Sequence, residues 1–182
     1  MLSDMTDQVR QLLLLRHAKA EHTIGVSDHE RRLIERGKRD AAVVGEWLMH
    51  FAATIDLVIC STSSRTRQTW EAIEHAGVTA TEVEFARGVY SAGAAGVMNL
   101  VREADPSVQR ILVVGHEPTM SWLAERLTGG DGEVGALDHL AEGFPTSGLA
   151  VLDCSTDWKH LDDGKASLTH FVVGRGRTHA DH

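Results

Sequence analysis

Three short apolar runs in this chain each stop at residues able to handle a phosphoryl group. Leu12 to Leu15 ends in Arg16-His17, Leu57 to Cys60 is followed by Arg65 and Arg67, and Ile111 to Val114 runs into Gly115-His116. A guanidinium presents a planar fork that matches phosphate oxygens with two parallel hydrogen bonds. A neutral imidazole nitrogen is a competent nucleophile toward phosphorus once the phosphate charge is offset, and a second, protonated imidazole steadies charge on the equatorial oxygens. Ser61 to Ser64 add hydroxyl and backbone donors where a helix should begin, an end that favours anions. A lone His after a strand is usually a polar loop residue, and a lone Arg in a turn is usually solvated. Three strand ends of one chemical type make coincidence a poor explanation.

Those groups meet only if the runs are neighbouring strands, so the rest of the chain must supply the scaffold. Four apolar residues followed by a polar stop suit a buried strand better than a helix. Further strands are predicted at Thr79 to Phe85, Leu149 to Leu152 and Leu168 to Val173. Helical spacing appears over Glu35 to Phe51, Thr66 to His75, Ala94 to Ala104 and Thr119 to Leu127, with Gly77 as the stop of the second. Lys19 to Arg32 reads as a polar loop, as does the glycine- and acid-rich stretch Gly129 to Gly143. Strands alternating with helices imply an α/β sandwich with a largely parallel sheet. Open sheets of this kind bind ligands beyond the carboxyl ends of their strands, where the three motifs fall.

Bulk properties narrow the field. The chain has 182 residues, 42% hydrophobic and 24% charged, enough for one sizeable core and ordinary for a globular domain. A single domain is expected over 1–182, with its core about 11–173 and flexible ends at 1–10 and 174–182. A net charge of −8 argues against nucleic acid or an anionic membrane as partner. The N-terminal stretch has no basic segment followed by an apolar one, which speaks against a signal peptide. Cys60 and Cys154 lie far apart and do not form a CxxC, which suits two free thiols in a cytoplasmic protein. No exposed apolar stripe demands a dimer, so a monomer is expected.

Competing motifs fail on spacing. A cysteine-based phosphatase loop needs five residues between Cys and Arg, and Cys60 and Arg65 have four between them. His116-Glu117 opens like a zinc-protease helix, but Met120 stands where the second His is required. Neither a GxxxxGK[ST] loop nor a GxSxG elbow occurs. The other histidines show no metal-ligand pairing on one face, so no metal and no cofactor is expected. Trp47, Trp70, Trp122 and Trp158 fall mostly on helix faces, so core packing is the default reading and a ligand platform the alternative.

At Leu15-Arg16-His17-Ala18, Ser61-x-x-x-Arg65-x-x-Gln68-Thr69 and Val114-Gly115-His116-Glu117-Pro118, the sequence resembles the histidine phosphatase superfamily. Within it, the chain is similar to the small SixA-type phosphohistidine phosphatases. Asp28-x-x-Arg31-x-Leu33 to Gly37, and Phe144-Pro145-Thr146-Ser147-Gly148, are lesser matches. The resemblance covers about Gln11 to Asp153. It implies a three-layer α/β/α sandwich, phosphoglycerate mutase-like. It also implies phosphorylation of His17, a phosphoryl group held by Arg16, Arg65 and His116, and hydrolysis by water without a metal. Lys19 and Ser147 are further phosphate-binding candidates. Lys19 and Arg67 read equally well as solvated charges, and Asp28 either orients a pocket residue or caps the next helix. Ala18 replaces the family's usual Gly, and Arg32 stands where such proteins often have Pro.

No acidic proton donor is evident around Val89-Tyr90-Ser91, and Glu84 lies too early to be one. Alkoxide leaving groups need such a donor, whereas a phosphohistidine can carry the proton on its own ring. That favours a P–N bond, in a phosphohistidine-bearing protein, as the expected substrate. The alternatives are a small phosphorylated substrate, hydrolysed as a phosphomonoester on the same scaffold, or an inactive phosphate-binding module.

Overall fold

The computed structural model describes residues 9–177. In chain order the elements are β1 (Arg10–Arg16), α1 (Glu35–Phe51), β2 (Thr54–Ser61), α2 (Ser64–His75), β3 (Thr79–Ala86), α3 (Arg87–Ser91), α4 (Gly93–Arg102), β4 (Arg110–Gly115), α5 (Thr119–Thr128), α6 (Val134–Glu142), β5 (Gly148–Cys154) and β6 (Ala166–Val173). The strands form one six-stranded sheet in the order β3-β2-β4-β1-β5-β6. The β1–β4, β2–β4 and β2–β3 pairs are parallel, while β5 runs antiparallel to β1 and to β6. The three strands that end in the candidate phosphate ligands are therefore contiguous, with β4 between β2 and β1.

The near-continuous apolar character of β1, β2 and β4 follows from burial on both faces. Leu12 and Leu14 of β1 join a core with Ile59, Val113, Met120, Leu123 and residues of α4 to α6. Leu13 and Leu15, pointing the other way, join Val44, Leu48, Trp70 and Ile73 of α1 and α2. This alternation sends Arg16 to the α3–α6 side at the sheet's carboxyl end. The β2–α2 turn is fixed by the serines: Ser63 caps α2, its Oγ accepting from the Thr66 N–H. Gly77, at φ +112°, ends that helical segment.

Two expectations need correction. Gly129 to Gly143 is not a loop throughout, because Val134 to Glu142 is helical. Gly135 and the flanking acids hide the helical spacing of Ala136 and Leu140, which pack onto the α4–α5 core. Some residues expected in flexible ends are also packed onto the fold. Arg10 already pairs with Cys154 in the sheet. Gly174 donates its N–H to the Ser147 carbonyl at 3.0 Å, and Gly176 donates to Asp40 Oδ1 at 2.8 Å. A Cβ at Gly174 would lie 2.2 Å from the Asp40 carbonyl oxygen, so only glycine lets the backbone dock there. The expectation for 1–8 and 178–182 falls outside the described residues.

Candidate active site

His17 sits immediately beyond β1, 8% exposed. Its backbone continues the sheet: the His17 N–H donates to the Gly115 carbonyl at 3.0 Å, and its carbonyl accepts from the Ser147 N–H at 3.2 Å. The ring is fixed as firmly. Nδ1 lies 2.7 Å from the Ala18 carbonyl oxygen, which can only accept, so Nδ1 carries the proton. Nε2 is then left with its lone pair, and it accepts from Arg65 Nε at 3.3 Å. Burial pushes the imidazole down to about 3, against the raising effect of the Ala18 bond, and His116, Arg65 and Arg16 push it the same way. A neutral ring with its lone pair at Nε2 is the form a nucleophile requires.

Arg65 enters from the first turn of α2 and is 5% exposed. One edge of its guanidinium faces the two imidazoles, Nε toward His17 and Nη2 toward His116 Nδ1 at 3.3 Å. The other edge rests on Asp28, with Nη1 donating to the main-chain carbonyl at 2.6 Å and Nη2 to Oδ2 at 3.1 Å. Because Arg65 can only donate, His116 Nδ1 accepts, and Nε2–H points to Ser61 Oγ at 2.7 Å. Burial, followed by the Arg65 charge, pushes His116 down to about 4, so this ring too is neutral as it stands. The two imidazoles are 5.4 Å apart between centroids.

Arg16 completes the ring of donors. Its Nη1 donates to the Phe144 carbonyl at 2.9 Å, while its buried Nε has no partner among the described residues. Burial lowers its pKa, opposed by Glu117. Beyond it opens a cleft of about 600 Å³, lined by Arg16, His139, Glu142, Phe144, Pro145 and Phe171 among others.

The remaining motif residues hold these groups in place. Thr69 Oγ1 accepts from the buried Ala18 N–H at 3.0 Å and donates to the Arg65 carbonyl at 2.7 Å, tying the first motif to the second. Gln68 Oε1 accepts from the Leu33 N–H at 2.8 Å and anchors the loop between β1 and α1. Asp28 lies in that loop. Burial raises its carboxyl, but hydrogen bonds from Tyr90, Arg31 and Arg65 outweigh this and hold it well below the usual carboxylate range.

Not every candidate reaches the cluster. Lys19 is exposed, and among the described residues no hydrogen bond or ion pair holds its ammonium group. Arg67 turns outward, donating to the Thr62 carbonyl at 3.0 Å and stacking over Phe85 at 4.2 Å. Ser147 is fully buried beside His17 but engages it through the main chain, and its Oγ has no partner among the described residues. Cys60 is buried in β2, where desolvation pushes its thiol up to about 12. His29 reaches the rim, with Nε2 2.9 Å from Thr62 Oγ1. Tyr90, which sequence reasoning passed over while seeking a carboxylate, donates to Asp28 Oδ2 at 2.9 Å. Its signal was its position, as the chain's one tyrosine just past a strand's carboxyl end. Among the described residues, no group of three or more His, Cys, Asp or Glu is placed to hold a metal.

Comparison with known proteins finds relatives of this fold. Residues 12–89 match the family model of the histidine phosphatase superfamily (branch 1). An uncharacterised Mycobacterium tuberculosis protein is 39% identical over 88% of this chain and all of its own length. A Nakamurella multipartitia protein assigned as phosphohistidine phosphatase SixA is 32% identical, with TM-score 0.80 over 91% of this chain and 96% of its own. An Agrobacterium tumefaciens protein with the same assignment is 32% identical, with TM-score 0.73 over 90% and 97%. The fold thus has close counterparts: the chain belongs to the histidine phosphatase superfamily, as a SixA-type member, and its activity class is that of a phosphatase.

Proposed function

We propose that this phosphatase hydrolyses phosphohistidine on a protein, through a phosphoryl-enzyme intermediate on His17. The observation that carries this is the pinned His17 ring, whose Nε2 lone pair faces the Nε–Nη2 edge of Arg65 beside His116. In the first step His17 Nε2 attacks phosphorus. A P–N bond to His17 forms as the substrate's P–N bond breaks, and its electron pair stays on the departing ring. When that ring carries a proton on its other nitrogen it leaves as neutral imidazole, so no side chain has to supply one. In the second step water attacks the same phosphorus, the bond to His17 breaks, and inorganic phosphate departs. Arg65 and Arg16 offset charge on the phosphoryl oxygens throughout, and His116 joins them as a donor once that charge draws a proton to it. Among the described residues no carboxylate is hydrogen-bonded to either imidazole, which supports a leaving group that needs no acid. The open cleft beside Arg16 supports a bulky one.

The test compares wild type with His17→Ala on an aryl phosphate and on a phosphohistidine-bearing protein, with chelator present. Loss of both activities in the variant, with phosphohistidine strongly preferred by wild type, is the expected result. Acid quenching during turnover should trap phosphate on wild type and none on the variant. Equal turnover of simple alkyl phosphates would move the substrate to small esters, and activity surviving in His17→Ala would remove the mechanism.

A further inference from the structure

We infer that Tyr90 is a positioning residue for Arg65, acting through the carboxylate of Asp28. The inference rests on the reading that Arg65 supports the phosphoryl group in the transition state. A guanidinium is a rigid planar fork, so fixing one edge fixes the direction of the other. The edge that faces His17 and His116 is set by what holds the outer edge, and both acceptors there belong to Asp28.

The main-chain acceptor is fixed by the short helical turn Asp28–Glu30. The carboxylate is not, because its side chain is 53% exposed and free to rotate unless held. Arg31 donates to Oδ1 at 3.0 Å, but Arg31 belongs to the same loop and moves with it. Tyr90 Oη donates to Oδ2 at 2.9 Å, from α3 on the body of the fold. Oδ2 is also the oxygen that receives Arg65 Nη2, so one atom joins the anchor to the guanidinium. The Tyr90 ring is itself held, edge-on to His29 at 4.8 Å and to His116 at 5.6 Å. Its hydroxyl is thereby aimed at Asp28.

A residue that acts only through Asp28 must lose its effect when the Asp28 side chain is gone. The experiment is a double-mutant cycle of Tyr90→Phe and Asp28→Ala on an aryl phosphate, with vanadate and inorganic phosphate as inhibitors and urea unfolding to confirm that each variant is folded. Tyr90→Phe should lower kcat about three- to tenfold, the scale of one hydrogen bond, with KM within about twofold of wild type. Vanadate, which adopts the geometry of the transition state, should lose affinity by the same factor, and phosphate should not. In the Asp28→Ala background, Tyr90→Phe should change kcat and vanadate affinity by less than about twofold. Equal losses in both backgrounds, an effect on KM alone, or wild-type behaviour of Tyr90→Phe would overturn the inference. If wild type turns over no phosphate ester or phosphohistidine, the proposed function fails separately. Direct vanadate binding to the four proteins then reads the same cycle, and failure of wild type to bind vanadate overturns both.

Discussion

At the residue scale the site works by denying its groups alternatives. The Ala18 carbonyl leaves His17 one tautomer, and Arg65 leaves His116 one in this arrangement. Lysine at position 65 would keep the charge and lose the fork, which spans both imidazoles, the Asp28 main-chain carbonyl and Asp28 Oδ2. Arg65→Lys should therefore lower kcat/KM by at least about a hundredfold, and added guanidinium should restore part of it. The neutral imidazoles also make stability depend on pH. An unfolded His takes up its proton near 6.5, whereas native His17 does so only at about 3 and His116 at about 4. Between those limits the unfolded chain binds more protons, so stability falls as pH falls, by up to about 1.4 kcal/mol per pH unit for each ring. The urea midpoint should drop between pH 7 and pH 5, and drop less in His116→Gln. The two His and two Arg were legible because each sits at a strand end or the turn after it. Asp28 was legible only as a residue that either orients the pocket or caps a helix, and its pairing with Tyr90 was not legible, because that meeting depends on how a 3-10 turn and a five-residue helix face each other across the site.

At the element scale, the loop between β1 and α1 is held down at several points, and one of them depends on a missing side chain. A Cβ on Gly37 would lie 2.1 Å from the Lys19 carbonyl oxygen, which also accepts from the Ile34 N–H. Gly37→Ala must push this loop, and Asp28 with it, off α1. A stability loss of about 1–3 kcal/mol is expected, the cost of forcing bulk into a packed contact. Because the loop carries Asp28, kcat should fall with it, and urea unfolding with steady-state assays would check both. Strand positions were legible from their apolar runs and polar stops. Helix α6 was not, since nine residues with Gly135 at the second position and Asp138 within give a weak pattern. What makes it helical is tertiary: Ala136 and Leu140 have a core to meet.

At the scale of the whole molecule, an acidic chain concentrates two guanidiniums and two imidazoles where three parallel strands end. The α/β alternation and largely parallel sheet were legible from element order. The antiparallel pairing of β5 and β6 was not, nor was the docking of 174–177 onto Asp40, a buried acid on a helix that reads as ordinary surface polarity in sequence. The strand order carries a further consequence, for assembly. The strand between β2 and β1 is β4, made long after both, so a nascent chain holding only the first two motifs cannot close the sheet. Pairing of β1 with β4, with Leu15 opposite Val114 and Arg16 opposite Gly115, is a non-local contact that closes a long loop. Ser147, whose N–H ties down the His17 carbonyl, arrives later still. An oxyanion that binds the completed cluster therefore recognises only chains whose distant segments have met, and its binding during refolding times the final closure of the sheet.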